Sequence, residues 1–600
     1  EGSEVFDIAF LGNKVFASTD QGLMYADIDN PGLTYFGNWS QPPGTTVGAI
    51  YSDIEALNNS LFLLRPSLAS EGDSLVKFNN GLFTTLRSGE SQIIRSLESS
   101  GNNLLIAYDS KIEITDEDAS TIRTIDNYSW GPLKTRKAII DDSKLYIADE
   151  YSGLVIESGQ GNFSSIVIPG PFYNNASSLY ASSGNVYVSG GLVDNSWGNT
   201  WTTFNSHFFE NRKWWSGIYY DSWDVMRIRP FPGNTNKVVV STWGSGIYII
   251  ENHEIVEHYN DSNSPLESII PGADYVRICG LAFDNDNRLW LTQTEVEGSI
   301  KVLNPDGSWL VLPYTIEAPT IGDLIISRSG KKWIVLPRGH GLFVLDDNNS
   351  PENFGDDQWK KITVKDQDGK LLNNIYSICE DLDGNIWVGT GQGPAVYYNP
   401  DLILDENLNC YRIKIPRNDG SGLADYLLGT ETINTIAVDG GNKKWLGTNS
   451  SGVYHISDDG RELIEKYNKA NSPLFSNSIT SIAIEEQSGE VWIGTDKGII
   501  TLRGEATAGE GSFDRVYAFP NPVRPDFEGS VTVTGLQRNT NVKFIDISGN
   551  LVYECTSDGG QATWNLNTYN GKRVSSGVYL ALCSTEDGSE STSVKILIIR

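Results

Sequence analysis

The sequence predicts an all-β chain of tandem β-propellers, seven-bladed where complete and with the first short of blades, followed by an immunoglobulin-like β-sandwich. Three observations lead there. A strand, turn, glycine, strand unit recurs over roughly the first five hundred residues. Glycine makes up 60 of 600 residues beside 11% aromatics, a composition suited to short strands and many turns. After a proline pair at Pro520 and Pro522 the unit gives way to a different alternating pattern.

The recurring unit is plainest in "KKWIVLPRGHGLFVL" from Lys331, "NIWVGTGQGPAVYY" from Asn385, "KKWLGTNSSGVYHI" from Lys443 and "EVWIGTDKGIITL" from Glu490. Earlier copies are "KVFASTDQGLMYADI" from Lys14, "KLYIADEYSGLVIE" from Lys144 and "KVVVSTWGSGIYII" from Lys237, with weaker ones around Phe62, Leu105, Tyr187 and Trp290. A large residue marks each copy, at 16, 62, 105, 146, 187, 239, 290, 333, 387, 445 and 492, a spacing of 41 to 58 residues. That is the period of propeller blades, with slack taken up in loops. In "VWIGT" Trp492 faces one side and Val491 and Ile493 the other, as a blade covered on both faces by neighbours requires.

The last seven copies predict a complete ring over residues 171–506, and the first four an incomplete ring over 1–170. An open ring would leave a bare sheet edge, so the start at "EVFDIAF" predicts that N-terminal blades are missing. A Gly- and Ala-rich linker over 507–515 reads as a flexible joint. Residues 516–600 then alternate through "SVTVTGL", "NVKFIDISGNLVYECT", "QATWNL", "SSGVYLALCST" and "SVKILIIR", which predicts a compact antiparallel sandwich.

Composition narrows the function. The net charge of −31 repels nucleic-acid phosphate and anionic membrane. No run of apolar residues is long enough for a transmembrane helix. The cysteines, Cys279, Cys379, Cys410, Cys555 and Cys583, contain no Cys-x-x-Cys pair; Cys555 and Cys583 are placed either for one disulfide or as two buried thiols. The histidines are scattered, and strand alternation puts His253 and His258 on opposite faces, so no metal site is predicted. No nucleophile elbow, P-loop or zinc-protease motif occurs, and the sequence offers no argument for an enzyme.

Within the last 85 residues, "FPNPV" (519–523), "VKFIDISGNLVYE" (542–554), "SSGVYLA" (575–581) and "VKILIIR" (594–600) follow one another in an order that resembles the C-terminal sorting domain of type IX secretion cargo. The resemblance implies export through the periplasm and across the outer membrane of a Gram-negative envelope, with Pro520, Asn521, Pro522, Gly577, Tyr579, Lys595 and Arg600 as the sorting signal. "NIWVGT" and "EVWIGT" resemble two-component regulator propeller repeats. Together with "VFASTDQGLMYADIDNPGLTYFGNW" (15–39), the whole chain resembles the PorZ-like surface components of the type IX secretion system. That resemblance implies an outer-membrane-associated protein at the cell surface, with the sortase PorU, PorV and PorQ as partners and anionic lipopolysaccharide as a ligand to be supplied for cargo anchoring. The alternatives are a glycan-sensing propeller related to hybrid two-component ectodomains and a secreted carbohydrate-active protein with a sorting tail.

One stretch stands out as a candidate binding surface, "SWGNTWTTFNSHFFENRKWWSGIYYDSW" (196–223). Trp197, Trp201, Trp214 and Trp215 with Arg212 and Lys213 make either an exposed platform for sugar rings and anions or a hairpin whose aromatics fill the space between blades; large aromatics are usually buried, which favours the second. The Asp-rich turns 284–288, 366–370 and 381–385 read as plain β-turns, although calcium held there would bridge an anionic glycan. The lysine pairs Lys331–Lys332, Lys360–Lys361 and Lys443–Lys444 read as solvated charges at strand starts.

Overall fold

Each marker residue sits in the second strand of a small antiparallel sheet: Phe62 in Ser60–Arg65, Tyr187 in Asn185–Ser189, Trp333 in Lys332–Leu336 and Trp387 in Ile386–Thr390. All four are almost completely buried. The computed structural model describes residues 4–599 except 47, 68–71, 91, 160, 167–169, 192, 195, 373 and 406. Among these residues the protein is all-β, with two short 3-10 turns and no helix long and apolar enough to cross a membrane.

The chain forms two compact units, Glu1–Pro169 and Gly170–Arg600. In the first, successive sheets span residues 5–27, 53–90, 94–125 and 135–166. Each leans on the next through its innermost strand: Asp7 accepts the Ile54 N–H at 2.9 Å and Asp53 the Leu97 N–H at 2.9 Å. In the second unit, sheets follow one another over 178–223, 225–259, 276–311, 324–362, 375–397, 433–467 and 479–503. The last lies against the first: Glu485 accepts the Gly184 N–H at 2.9 Å, and Trp492 packs on Phe209 at 4.8 Å between ring centroids.

The sequence motif has a local cause at each of its letters. The threonine ending the second strand turns its hydroxyl onto the carbonyl of the glycine opening the third, Thr390 to Gly393 at 2.7 Å, Thr448 to Gly452 at 2.8 Å and Thr495 to Gly498 at 2.8 Å. Gly452 has φ +88°, and a Cβ there would stand 2.1 Å from the Tyr467 carbonyl, so only glycine fits. The Asp-rich turns close in a shared manner. Asp284, Asp381 and Asp439 each use one oxygen to cap their own turn and the other to accept the indole N–H of the tryptophan six residues on, at 2.8, 2.9 and 3.1 Å.

The lysine pairs correct the expectation of solvated charge. Lys332 and Lys444 are 2% and 0% exposed. Lys332 pairs with Asp347 and lies 4.2 Å over the ring of Trp290; Lys444 pairs with Asp381 at 3.1 Å and lies 4.8 Å over Trp387. Each ammonium therefore reaches the tryptophan of the preceding sheet, and pairing plus the aromatic face offsets its desolvation. Lys361 does behave as expected, exposed and donating to the Glu317 carbonyl.

Residues 517–599 fold as two sheets on one core. Tyr517–Phe519, Val531–Thr534 and Gln561–Trp564 form one; Leu551–Thr556, Asn541–Asp546, Gly577–Ser584 and Ser591–Ile598 form the other. Between them Trp564 stacks on Phe544 at 4.7 Å and meets Tyr579 at 5.5 Å. Cys555 and Cys583 are free thiols. They oppose Val542 from the two flanking strands, so their Cα atoms stand two strand spacings apart, about 10 Å, beyond the reach of a disulfide. Burial pushes the Cys583 thiol up to about 12.

Candidate functional site

Among the described residues, the predicted sorting residues lie along the last strand of the C-terminal sandwich and on the chain to either side of it. Pro520 and Pro522 carry no N–H, so neither can donate to a ladder with a neighbouring strand. Asn521 supplies what they lack: its side-chain Nδ2 donates to the Lys595 carbonyl at 2.7 Å and its Oδ1 accepts the Leu597 N–H at 2.9 Å. A single side-chain amide thus stands in for a peptide group against the last strand. Beyond it true backbone pairing resumes, Val523 N–H to Leu597 at 2.7 Å and Ile599 N–H to Val523 at 2.9 Å. Gly577 and Tyr579 lie in the neighbouring strand opposite Ile598 and Ile596. Tyr579 is buried and its hydroxyl donates to the Ser575 carbonyl at 3.1 Å, while Lys595 points outward beside exposed Leu597. Arg600 lies outside the described residues.

The aromatic stretch does not form one patch. Thr203–Glu210 and Lys213–Trp223 pair as a hairpin whose turn is Asn211 and Arg212, both at positive φ. Arg212, Lys213, Trp214 and Trp215 sit at that turn, whereas Trp197 and Trp201 sit towards the opposite end, Trp201 beside Trp223, about 17 Å from Trp215 along the paired residues Thr203 to Phe208. Trp214 packs against Phe209 and Trp492, in the seam between the first and last sheets of the unit. Trp215 is 48% exposed and stacks on His253 at 4.5 Å, beside exposed Arg212 and Lys213. At the other end Trp201 is 56% exposed and stacks on Tyr275 at 6.1 Å; Trp197 is half-buried against Trp243. Buried Asp224 holds this end by accepting from Asn199, Thr200 and the N–H groups of Trp201 and Thr202.

Residues 517–600 match the family model of the secretion system C-terminal sorting domain, and residues 366–392 that of the two component regulator propeller. The structure of PorZ from Porphyromonas gingivalis, described as an essential bacterial surface component of the type-IX secretion system, is similar over 100% of this chain and 82% of its own length, at 23% identity and a TM-score of 0.76. The chain has a PorZ-like fold and carries a secretion sorting domain. The extracellular domain of a hybrid two component system from B. thetaiotaomicron is similar over 99% of this chain and 80% of its own, at 13% identity and a TM-score of 0.41. None of the curated proteins compared with the sequence matches it.

In this PorZ-like chain the sorting domain is seated on the sheet array. Thr507 bridges to Gly559 and accepts the Gly560 N–H at 2.8 Å, the Ala508 N–H donates to Glu486 at 2.8 Å, and that of Glu510 to Leu536 at 2.8 Å. The stretch expected as a flexible joint is tied to both sides. Two ion pairs flank it, Lys443 with Asp558 and Arg538 with Asp383 at 2.9 Å. Nothing local in the sequence announces these pairs, because each joins residues more than a hundred positions apart.

Among the described residues no three His, Cys, Asp or Glu side chains are placed to hold a metal ion. His253 bonds Glu210 at 3.0 Å and His258 the Ser245 carbonyl at 2.7 Å, in separate surroundings. Buried His207 is pushed down to about 4 by desolvation and bonds the Ser216 hydroxyl at 2.7 Å.

Proposed function

We propose that the chain is a non-enzymatic, surface-exposed component of the type IX secretion system, exported through the periplasm and held at the outer membrane. The observation that carries this reading is the sorting-domain match over 517–600, on the same residues whose Asn521 amide knits "FPNPV" to the last strand. The PorZ-like fold supports it.

On this reading residues 171–506 are a seven-bladed propeller, 1–170 contribute four blades of a first propeller, 507–515 connect, and 516–600 are an immunoglobulin-like sandwich read by the secretion machinery through Pro520, Asn521, Pro522, Gly577, Tyr579, Lys595 and Arg600. The propellers scaffold the attachment complex, with the sortase PorU, PorV and PorQ as partners, and deliver anionic lipopolysaccharide for cargo anchoring. The exposed Trp215 beside Arg212 and Lys213 offers a flat ring next to cations, the chemistry an acidic sugar requires, and Trp201 offers a second ring. Truncation before Pro520 tests the sorting role. The shortened protein is expected to stay inside the envelope, shielded from added protease; surface exposure equal to that of the full chain rejects the reading.

A further inference from the structure

A pocket of 580 Å³ opens among the inner strands of the first four sheets of the second unit, lined by residues that include Tyr180, Arg229, Phe231, Phe283 and Ile325. Its size suits a small organic ligand. The rings of Phe231 and Phe283 meet at 5.0 Å and form its apolar wall. Arg229 is the charged residue among those that line it.

Arg229 is held but not neutralised. Its guanidinium lies 4.4 Å over the ring of Tyr180, and Nη1 donates to the Ile228 carbonyl at 3.0 Å. The nearby carboxylate, Asp323, is engaged elsewhere: Oδ2 accepts Arg227 Nε at 3.1 Å and Oδ1 the Leu324 N–H at 3.0 Å. Two arginines and one aspartate leave this group one positive charge in excess. Burial acts to discharge Arg229, the direction expected of a cation lacking a full counter-charge, while the Arg227–Asp323 pair holds both its members ionised. A guanidinium so placed presents unused donors to the pocket, in the planar fork that suits a carboxylate.

We propose that this pocket binds a small amphipathic carboxylate, its anionic group on Arg229 and its apolar body against Phe231 and Phe283. One excess charge matches a monoanion; a phosphate dianion would overfill it. The site is independent of the sorting role and of any sugar bound at the hairpin turn.

Isothermal titration of the intact protein with octanoate tests this, with octan-1-ol and octylamine as controls. The expected result is saturable uptake at one site by octanoate, not by the alcohol or the amine. Arg229→Leu is expected to weaken it by on the order of tenfold or more. That variant leaves Asp323 its bonds to Arg227 and Leu324. Ser182→Trp, at the rim of the pocket, leaves the charges untouched and is expected to block uptake by filling space. No octanoate uptake at millimolar concentration, equal uptake of octan-1-ol, or unchanged affinity in both variants overturns the proposal.

Discussion

Arg538 of the C-terminal sandwich donates Nη1 to Asp383 of the propeller-like array at 2.9 Å, in the same seam where Lys443 meets Asp558. These partly exposed pairs are each worth about 1 kcal/mol or less, so they steer the seating rather than hold it alone. Reversing both cations, with Arg538→Glu and Lys443→Glu, is expected to loosen the sandwich while both parts stay folded. The readout is faster amide exchange at Ala508, Glu510 and Gly560, whose N–H groups bond across the connection. Adding Asp383→Arg and Asp558→Lys should restore slow exchange; unchanged exchange in the reversed protein would show that the backbone bonds suffice.

The Lys444–Asp381 pair makes a stronger claim, because both side chains are buried, at 0% and 2% exposure. Lys444→Ala strands a carboxylate that already caps its turn and accepts from Trp387. Breaking such a pair costs about 3–5 kcal/mol. Lys361→Ala, at an exposed position, should stay within about 0.5 kcal/mol. Denaturant midpoints of the two variants check the contrast. Equal midpoints would mean that Lys444 is solvated in solution.

The division between what the sequence revealed and what it hid follows the range of the interactions. The markers at Trp333, Trp387 and Trp492 lie within the short strands that bury them, so a local pattern exposed the repeat. The second lysine of "KKW" was read as solvated because its partners lie outside its own strand: Asp347 and Trp290 for Lys332, Asp381 and Trp387 for Lys444. Its repetition beside tryptophan was the available clue. The aromatic stretch 196–223 looked like one knot because linear order does not reveal where a hairpin turns; the turn at Asn211 and Arg212 leaves the middle of the stretch at one end and brings its two outer parts, with Trp201 and Trp223, together at the other. Asn521 was singled out by motif, yet its bonding partners lie 74 and 76 residues away.

In the first unit, burial and the neighbouring Asp7 raise the Asp53 carboxyl to about 7, although it accepts the Leu97 N–H. Between the ordinary value of about 3.9 and that figure, Asp53 is protonated when folded and ionised when unfolded. Unfolding there releases protons, so stability falls as pH rises from about 4 to about 7 and levels off above. Hydrogen exchange of Asp53–Leu57 and Ile94–Ser100, corrected for intrinsic rates, should show more protection at pH 5 than at pH 8. Asp53→Asn keeps an acceptor for Leu97 and removes the titration, so it should flatten that difference. A wild-type protein equally protected at both values would place the Asp53 carboxyl in its ordinary range.

The last strand of the sandwich is fastened on one side by the Gly577–Ser584 ladder and on the other by Asn521 and Val523. Because Pro520 and Pro522 offer no N–H, losing the Asn521 amide leaves the Leu597 N–H and the Lys595 carbonyl to water. Asn521→Leu therefore removes two hydrogen bonds at an exposed edge, a loss of about 1–3 kcal/mol. Asn521→Asp keeps the acceptor for Leu597 but not the donor for Lys595, and places a negative charge against a carbonyl oxygen. It should do no better. Amide exchange at Leu597 measures the edge directly: faster exchange in Asn521→Leu, with the Trp564 core still protected, is the expected outcome. If the core and the edge loosen together, the amide supports the whole sandwich instead of fastening a strand. If neither moves, the Val523 backbone bonds alone hold the strand, and the "PNP" sequence owes its place to something other than this edge.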